Sequence, residues 1–441
     1  MPKPVSEQVV VITGASSGIG RATALAFASR GAKVVCAARG AHALEALAAQ
    51  ISAAGGTAIA VPVDVTDPAA VQSLADAAEQ RFGRIDTWVN NAAVGVWGRI
   101  EDISGAEFDR VMRVNFLGQV HGAHAAVPAL RRAGGGVLIG VASLEAARAI
   151  PLHGPYTASK FAVRAFHDTL RIELAQERAP ITVTTILPAS VDTPFFDHVR
   201  NRLGSRAKPP PPVYAPELVA DTIVYAACHS RREIPVGGAA AALMLVQRLS
   251  PSLADAVLSL RPVGVGIQRT GLPDDGTDNV DAPRAGQGRV RGSHAGRVRR
   301  RSPFTTLIGR RPRVGDVLLR LRPVPGPLRA AALARTGWGL ALLAAPEVLA
   351  RIGQRPPAGP AALAVARVLG ARQLAQAVVT TARPSAAVAA ASAAVDTLHA
   401  ATDVGLAAVS PRWRSVALVD AAVASGLAAC GWIAHRRSRA S

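Results

Sequence analysis

Cysteine and aromatic residues are scarce in this chain of 441 residues. The three cysteines, Cys36, Cys228 and Cys430, lie far apart and form no CxxC pair. Neither a disulfide framework nor a zinc site is therefore expected, no metal is predicted, and the thiols suit a reducing compartment. Aromatic residues make up 4% of the chain although 49% of it is hydrophobic. Alanine, valine and leucine must form most of the core, which favours α/β or helical packing over a β-sandwich.

Long uninterrupted apolar runs are also missing. The first residues, MPKPVSEQ, contain no apolar stretch, so no secretory signal is expected. The Ala/Leu/Val-rich region after residue 327 divides into four helical segments, 328–352, 361–382, 385–409 and 412–435. Each is long enough to cross a bilayer, but charged residues keep all four below about 18 consecutive uncharged positions.

This region, 328–435, allows two interpretations. One is a four-helix membrane domain whose polar residues face one another, and the other is a soluble helical bundle. The low density of charge and the near absence of glutamate and lysine favour the membrane domain. Asp396, His399 and Asp403 share one helix face and could hold a metal or relay protons, but a polar stripe paired with neighbouring arginines is the preferred interpretation.

Acidic residues are outnumbered, and the net charge is +20. Arginines crowd between residues 283 and 329, for example in RVRRR at 297–301 and RRPR at 310–313. Residues 261–327 are also rich in glycine and proline and show no periodicity, so a linker or irregular arm is predicted. A flexible tether is the simplest role for such a basic run, and contact with anionic lipid is the next. Specific nucleic-acid binding is not expected, because no aromatic residues are interleaved.

Short β-branched runs alternate with helical stretches over the first 190 residues. Strands are predicted at 8–14, 32–39, 57–65, 84–92, 135–143 and 181–189, with another at 233–238. Apolar strands that alternate with helices predict a parallel sheet covered on both faces. The fold is thus predicted to be α/β, with a doubly wound, Rossmann-like domain at 1–260, the arm at 261–327 and an all-α domain at 328–435.

The motif TGASSGIG, Thr13 to Gly20, follows the first strand and opens a helix. Its glycines allow a tight turn that approaches a pyrophosphate closely, and the helix N-terminus supplies free N–H groups. At the end of the second strand, a carboxylate would bind the ribose 2′-hydroxyl of NAD. This chain has Ala38 and then Arg39 there, a pair that favours the 2′-phosphate of NADP.

A second motif, YTASK, places Tyr156 and Lys160 on one helix face, four residues apart. A nearby ammonium group favours the phenolate and lowers the tyrosine pKa from about 10 toward neutrality. Tyr156 could then exchange a proton with a substrate oxygen while hydride moves at a nicotinamide. Ser143, at the end of a strand, could hydrogen-bond the same oxygen.

These motifs together resemble the short-chain dehydrogenase/reductase family from Val9 to about Phe195. The matching segments are TGASSGIG, DVT at 64–66, NNA at 90–92, VNFLG at 114–118, YTASK with Ser143 standing 13 residues before its tyrosine, and LPASVDTP at 187–194. One position departs from the family pattern, because Ala189 stands where glycine is usual after Pro188. This alanine is not expected to abolish cofactor binding.

The resemblance implies a role for each matching residue. Asn115 would support a proton relay, Ser143 would orient the substrate, Tyr156 would be the acid/base, and Lys160 would tune Tyr156 and bind the nicotinamide ribose. The implied cofactor-binding residues are Gly14, Ser16, Ser17, Gly18, Ile19, Gly20, Arg39, Asp64, Val65, Asn91, Ala92, Tyr156, Lys160, Pro188, Val191 and Thr193.

The expected activity is NADP(H)-dependent hydride transfer to or from a small carbonyl or alcohol substrate. Apolar residues between Thr193 and Tyr214, such as Phe195, Phe196 and Leu203, predict an apolar substrate. The alternative is a membrane-associated protein whose reductase domain binds cofactor in a regulatory or scaffold role. A homo-oligomer is expected, with a cytoplasmic catalytic domain anchored through 328–435 if that region is embedded in the membrane.

Overall fold

The chain divides into two compact units, Met1–Arg311 and Pro312–Ser441. The structure is a computed structural model, and it describes residues 3–249, 251–284, 286, 288–309, 326–344, 360–382, 385–409 and 414–440. The first unit contains a large β-sheet, whereas the described elements of the second are helices.

A seven-stranded parallel sheet forms the centre of the first unit, in the order β10-β7-β6-β4-β1-β2-β3. Its strands are β1 Val9–Thr13, β2 Lys33–Ala38, β3 Thr57–Pro62, β4 Thr87–Asn90, β6 Gly136–Val141, β7 Ile181–Pro188 and β10 Glu233–Val236. Two short parallel pairs flank it, β5 Val96–Trp97 with β8 Arg200–Asn201, and β9 Val213–Tyr214 with β11 Val298–Arg299. The chain order reverses between β1 and β4, which confirms the predicted doubly wound fold.

Helices connect these strands and cover both faces of the sheet. They are α1 Gly18–Ala28, α2 Ala41–Ala53, α3 Pro68–Phe82, α4 Gly105–Met112, α5 Gly118–Arg132, α6 Gly154–Gln176, α7 Phe195–His198, α8 Pro216–Cys228, α9 Gly238–Leu249, α10 Pro251–Ser259, α11 Arg261–Gly264 and α12 Pro303–Gly309. Local sequence sets the ends of α3: the Asp67 side chain accepts hydrogen bonds from the N–H groups of residues 69 and 70, and Gly83 ends the helix at φ +81°.

Alternate residues of the central strand enter different hydrophobic clusters. Along β1, Val10 and Ile12 belong to the cluster that includes Phe27, whereas Val11 belongs to the cluster that includes Trp88. All five residues of β1 are buried, as expected when helices cover both faces of a parallel sheet.

The described part of the predicted linker, 261–309, belongs to the first unit. It contributes β11, which pairs with β9, and α12, whose Thr305 hydroxyl accepts a hydrogen bond from the Gly237 N–H at 2.9 Å. The basic segment 297–301 is described, whereas residues 310–313 lie outside the described residues. The described part of the predicted linker, 261–309, therefore has defined contacts with the sheet domain.

Four helices make up the described part of the second unit. They are α13 Gly326–Ala344, α14 Pro360–Ala382, α15 Ala386–Val409 and α16 Arg414–Ala440, near the four segments expected from the sequence. Helices α13 and α14 pack closely at Gly339 and Gly370, since a Cβ atom on Gly339 would lie 2.8 Å from the Gly370 carbonyl oxygen. Helices α15 and α16 form a second packed pair.

Charged side chains are buried inside this helical unit. Arg335 pairs with Asp396, and both are fully buried. His399 Nε2 lies 3.1 Å from Asp420 Oδ2 and 3.3 Å from Asp403 Oδ2. The stripe of acidic and histidine side chains expected on one helix face therefore divides between two clusters, each with partners on other helices.

The predicted membrane domain is not supported. Across the described ranges, no helix is both long enough and apolar enough to cross a membrane. Buried ionic residues such as Arg335 and Asp396 interrupt the apolar surfaces of α13 and α15.

Candidate active site

A cavity of about 770 Å³ opens at the carboxyl ends of the parallel strands. Ligands of doubly wound folds bind at this edge, where the strand order reverses. Its lining includes the predicted residues Gly14, Ser16, Ser17, Gly18, Ile19, Arg39, Asp64, Val65, Asn91, Ala92, Ser143, Tyr156, Lys160, Pro188, Val191 and Thr193. Two other predicted residues, Gly20 and Asn115, lie behind this lining and support it.

The glycine-rich turn between β1 and α1 has the shape that a dinucleotide phosphate requires. Gly14 and Gly18 have φ angles of +67° and +55°, which side chains other than glycine rarely adopt. A Cβ atom on Gly20 would lie 2.1 Å from the Gly14 carbonyl oxygen, so only glycine fits there. The Asn91 amide holds the turn by donating to the carbonyl oxygens of Thr13 and Gly14, at 3.1 and 3.2 Å. The turn therefore fits the pyrophosphate of a nicotinamide dinucleotide.

Arg39 and Asp64 both line the cavity. Asp64 accepts hydrogen bonds from Thr66 and pairs with Arg110 at 3.2 Å. Burial alone would raise the Asp64 pKa, but these partners outweigh it and hold the pKa below its ordinary value. The Arg39 guanidinium donates to three backbone carbonyl oxygens of residues 279–281, a segment that the sequence indicated only as part of a linker.

The structure brings the four predicted catalytic residues together, with Ser143, Tyr156 and Lys160 in the cavity lining and Asn115 behind it. The Asn115 side chain is fully buried and bonds the backbone of Val94 at 2.8 and 2.9 Å. Its amide also donates to Ser159 Oγ, which donates in turn to the Tyr156 carbonyl oxygen. Lys160 Nζ lies 5.4 Å from the centre of the Tyr156 ring and donates to the Val141 carbonyl oxygen at 3.1 Å.

Burial dominates the electrostatics of Tyr156 and Lys160. It raises the pKa of Tyr156 above the ordinary value, and the Glu145 carboxylate raises it further, whereas a hydrogen bond with Ser143 lowers it. Burial lowers the pKa of Lys160 to about 8, although Glu145 opposes this shift. The effect of burial on Tyr156 thus exceeds the lowering that the sequence predicted from Lys160.

The aromatic wall beside Tyr156 combines Phe195, which the sequence placed at the substrate pocket, with Trp97, which was not predicted. The Trp97 ring stacks on His153 with centroids 3.7 Å apart and meets the Tyr156 ring edge-on at 5.3 Å. Phe195 lies 5.4 Å from Tyr156 on the other side. One signal was available, because Trp97 follows the NNA segment closely and the chain has only five tryptophans.

His153 and Glu145 form a buried pair below this wall. His153 Nδ1 lies 3.0 Å from Glu145 Oε1, and the Thr157 hydroxyl donates to the other carboxylate oxygen at 2.6 Å. His153 is 2% exposed and lines the cavity, and its Nε2 atom has no hydrogen-bond partner among the described residues. The pair therefore offers a fixed polar group beside Tyr156 in the cavity.

Known proteins with similar sequences and structures belong to the same family that the motifs of this cavity resemble. Residues 8–204 match the family model described as short chain dehydrogenase. The chain is 38% identical over 306 residues to the uncharacterized oxidoreductase YxnA of Bacillus subtilis, a match that covers 69% of this chain and 85% of that protein. A match of this length extends beyond residue 260 and so includes part of the region expected to be a linker.

Other relatives match a smaller part of the chain. The probable oxidoreductase EphD of Mycobacterium tuberculosis is 35% identical over 271 residues, which are 58% of this chain and 45% of that protein. Among solved structures, a short chain dehydrogenase/reductase from Burkholderia phymatum in complex with NAD is 30% identical and superposes with a TM-score of 0.52. That match covers 56% of this chain and 94% of the other. The chain therefore belongs to the short-chain dehydrogenase/reductase family and is an NAD(P)-dependent oxidoreductase.

Proposed function

We propose that this protein catalyses NADP(H)-dependent hydride transfer between nicotinamide and an apolar carbonyl or alcohol compound, with Tyr156 as the acid/base. The observation that carries the proposal is the position of Tyr156. It lines the cavity that begins at the glycine-rich turn, and it stands between Trp97 and Phe195. One cavity thus joins a dinucleotide cradle to an aromatic substrate wall.

The raised pKa of Tyr156 keeps the phenol in its protonated form, which is the form that carbonyl reduction requires. A phenol with a pKa above its ordinary value stays protonated at neutral pH and can donate its proton to a substrate oxygen. Bound nicotinamide would supply the hydride to the carbonyl carbon. Ser143 would hydrogen-bond the same oxygen as charge develops there, and the Lys160 ammonium would stabilise the phenolate left behind.

The NADP preference rests on the adenosine end of the cavity. No carboxylate stands at the end of β2, where residue 38 is alanine, so a 2′-phosphate would meet no repulsion from that position. Arg39, Arg284 and Arg289 all line the cavity, and their positive charge suits the additional phosphate. Measured dissociation constants for NADPH and NADH will test this preference, and equal values would contradict it.

The substrate preference rests on the aromatic wall and on the pair below it. Trp97, Phe195 and Phe196 supply apolar contacts, and the unpartnered His153 Nε2 supplies one polar group. An apolar ketone with a single polar substituent fits this combination. A small-molecule substrate and a homo-oligomeric assembly are part of the same proposal.

Substitution of Tyr156 by phenylalanine tests the mechanism most directly. NADPH oxidation is first screened over ketones, aldehydes and quinones with the full-length chain. Tyr156→Phe is then expected to lower kcat by about 10²- to 10⁴-fold, the usual contribution of a positioned acid, while NADPH binding persists. Tyr225→Phe is the matched control, because Tyr225 hydrogen-bonds Arg231 and does not line the cavity.

The two outcomes distinguish the proposed enzyme from other roles. Turnover that survives Tyr156→Phe would exclude tyrosine acid/base catalysis. NADPH binding without turnover across the whole panel would favour the regulatory or scaffold alternative.

A further inference from the structure

A segment from the region expected to be a linker lies across the cofactor cleft. We call residues 278–293 the strap, of which 285 and 287 lie outside the described residues. Six strap residues line the same cavity as the glycine-rich turn and Tyr156, namely Asn279, Pro283, Arg284, Gly286, Gly288 and Arg289. The strap contacts the sheet domain at several points, and two of these contacts, here called anchors, involve Arg39 and the glycine-rich turn.

The first anchor is at Arg39. Its guanidinium donates to the carbonyl oxygens of Asn279, Val280 at 3.3 Å and Asp281 at 2.9 Å. Arg110 Nε donates to the Val280 carbonyl oxygen as well, at 3.1 Å. The Val280 side chain is fully buried in the hydrophobic cluster on this face of the sheet. A buried side chain and four charge-assisted hydrogen bonds make this a specific attachment.

The second anchor is at the glycine-rich turn. The Gly18 N–H donates to the Arg289 carbonyl oxygen at 2.9 Å. Gly288 has a φ of +73°, and a Cβ atom there would lie 2.1 Å from the Ser16 carbonyl oxygen. Only glycine allows the strap to approach the turn this closely. The Arg289 side chain also pairs with Asp197 at 2.7 Å.

The strap takes one N–H group of the glycine-rich turn, that of Gly18, but it leaves a cavity beside the turn. The cavity of about 770 Å³ lies between the two anchors and still reaches from Arg39 to Tyr156. Two strap arginines, Arg284 and Arg289, belong to its lining, and the Arg289 side chain also pairs with Asp197. A guanidinium has five N–H donors, and the strap carbonyls take three of those on Arg39, so two have no acceptor among the described residues.

We propose that the strap is a cofactor-binding element that closes over the adenosine and pyrophosphate of the bound dinucleotide and orients Arg39 toward it. The inference rests on the proposed function, because it requires that the cavity bind NADP(H). In this arrangement the dinucleotide leaves only after an anchor opens. Residues 279–281 and 288–289 are then positioning residues for the cofactor.

Gly288→Ala tests the second anchor. The added Cβ would meet the Ser16 carbonyl oxygen, and the backbone conformation is unfavourable for alanine. Gly276→Ala is the matched control, since Gly276 has a similar φ of +69° and no described atom lies within 4 Å of its Cβ position. Val280→Ser tests the first anchor and leaves the glycine-rich turn untouched.

The main readout is the dissociation rate of NADPH from the full-length protein, followed by fluorescence in a stopped-flow instrument. Gly288→Ala and Val280→Ser are each expected to speed dissociation by about tenfold or more, the equivalent of one charge-assisted hydrogen bond, whereas Gly276→Ala matches the wild type. Unchanged rates in both anchor variants would overturn the proposal. Slower dissociation or tighter binding would also overturn it, because the strap would then compete with the cofactor.

Trypsin cleavage gives a second readout that does not depend on turnover. Saturating NADPH is expected to protect Arg284, Arg289 and Arg291, mapped by mass spectrometry, since a closed strap is less accessible. Faster cleavage with NADPH would show that the cofactor displaces the strap and would contradict the proposal. Failure of the wild-type protein to bind NADPH or NADH at all would instead contradict the proposed function, so the two failures are distinguishable.

Discussion

Lys160 in the first unit and Arg335 in the second are both 1% exposed, yet they are stabilised differently. Among the described residues, Lys160 forms no ion pair, and its one hydrogen bond goes to a backbone carbonyl oxygen. Burial accordingly lowers its pKa to about 8. Arg335 instead pairs with the fully buried carboxylate of Asp396, which Arg372 also approaches at 3.9 Å.

In the proposed mechanism Lys160 is a buried charge held for chemistry, whereas Arg335 and Asp396 are buried charges that satisfy one another. A buried cation without a carboxylate partner destabilises the folded state, and such groups concentrate at functional sites. In a buried ion pair each charge compensates the other. Removing one partner leaves the other buried without compensation, so the free energy of unfolding falls. Lys160 is therefore expected to matter for turnover and Arg335 for folding.

Lys160→Met gives the largest expected effect. Turnover should fall by about 10²- to 10⁴-fold, because the phenolate of Tyr156 loses its cation. The melting temperature should hold or rise, since the folded state no longer contains an amine whose pKa lies below the ordinary value of about 10.4. Lys33→Met, at an exposed position, is the control for turnover. A Lys160→Met variant with a lower melting temperature and an unchanged kcat would reverse the assignment of Lys160.

Arg335→Met is expected to have the opposite pattern. It leaves Asp396 buried without its main partner, which costs about 3–5 kcal/mol of stability. Calorimetry of the full-length chain should show one unfolding transition at a lower temperature, while NADPH turnover at 25 °C is unchanged. The double variant Arg335→Met/Asp396→Leu should recover most of the loss, because it leaves no unpaired charge. Equal destabilisation of the single and double variants would show that the pair is not the source of the effect.

Glu107 is a buried charge of the first unit that, like Arg335 in the second, has a charged partner, so it too is expected to matter for stability. This buried carboxylate accepts hydrogen bonds from Arg202 at 2.7 Å and from Ser104 at 2.9 and 3.0 Å. Burial alone would raise its pKa, but these partners hold the pKa below its ordinary value. Its stabilising contribution is therefore present above the unfolded-state pKa of about 4.3 and is lost as the pH falls through the folded-state pKa.

Glu107→Gln should accordingly lower stability by about 1.5–3 kcal/mol at neutral pH, and the difference from the wild type should shrink in acid. Denaturant unfolding between pH 3 and 7 would measure the loss of stability at neutral pH and its decrease in acid. Glu101→Gln is the control, because Glu101 is exposed and its surface pair with Arg99 is worth about 0–1 kcal/mol. A difference that grows in acid would contradict the assigned role of Glu107.

The sequence predicted the sheet and the helix order because both depend on local patterns. Alternating apolar strands and helices, and glycines fixed by backbone geometry, are visible without tertiary contacts. Trp97 was not predicted, because its place beside Tyr156 depends on the pairing of β5 with β8 from a distant part of the chain. The strap was interpreted as a linker because it is attached through backbone carbonyl oxygens. Every residue has such an oxygen, so amino-acid composition does not reveal the attachment. The membrane prediction was unsupported because a low overall charge density does not make any single helix apolar enough, and no described helix is both long and apolar enough to cross a membrane.

The smallest expected effect concerns Asp403, beside His399 and Asp420. The three possible ligand atoms lie within 4.8 Å of one another, and Asp403 Oδ2 has no hydrogen-bond partner among the described residues. Burial raises the Asp403 pKa and the neighbouring Asp420 raises it further, although His399 opposes the shift. A raised carboxyl pKa means that the ionised form destabilises the folded state at neutral pH.

Asp403→Asn should therefore stabilise the second unit slightly at pH 7, and the gain should disappear as the pH falls toward the unfolded-state value of about 3.9. Thermal unfolding with and without EDTA completes the test. If the cluster only balances charge, EDTA and added Zn²⁺ leave the wild-type transition unchanged. A transition that EDTA lowers and Asp403→Asn also lowers would instead make these three residues metal ligands, and the second unit would then, like the first, hold buried polar groups for binding.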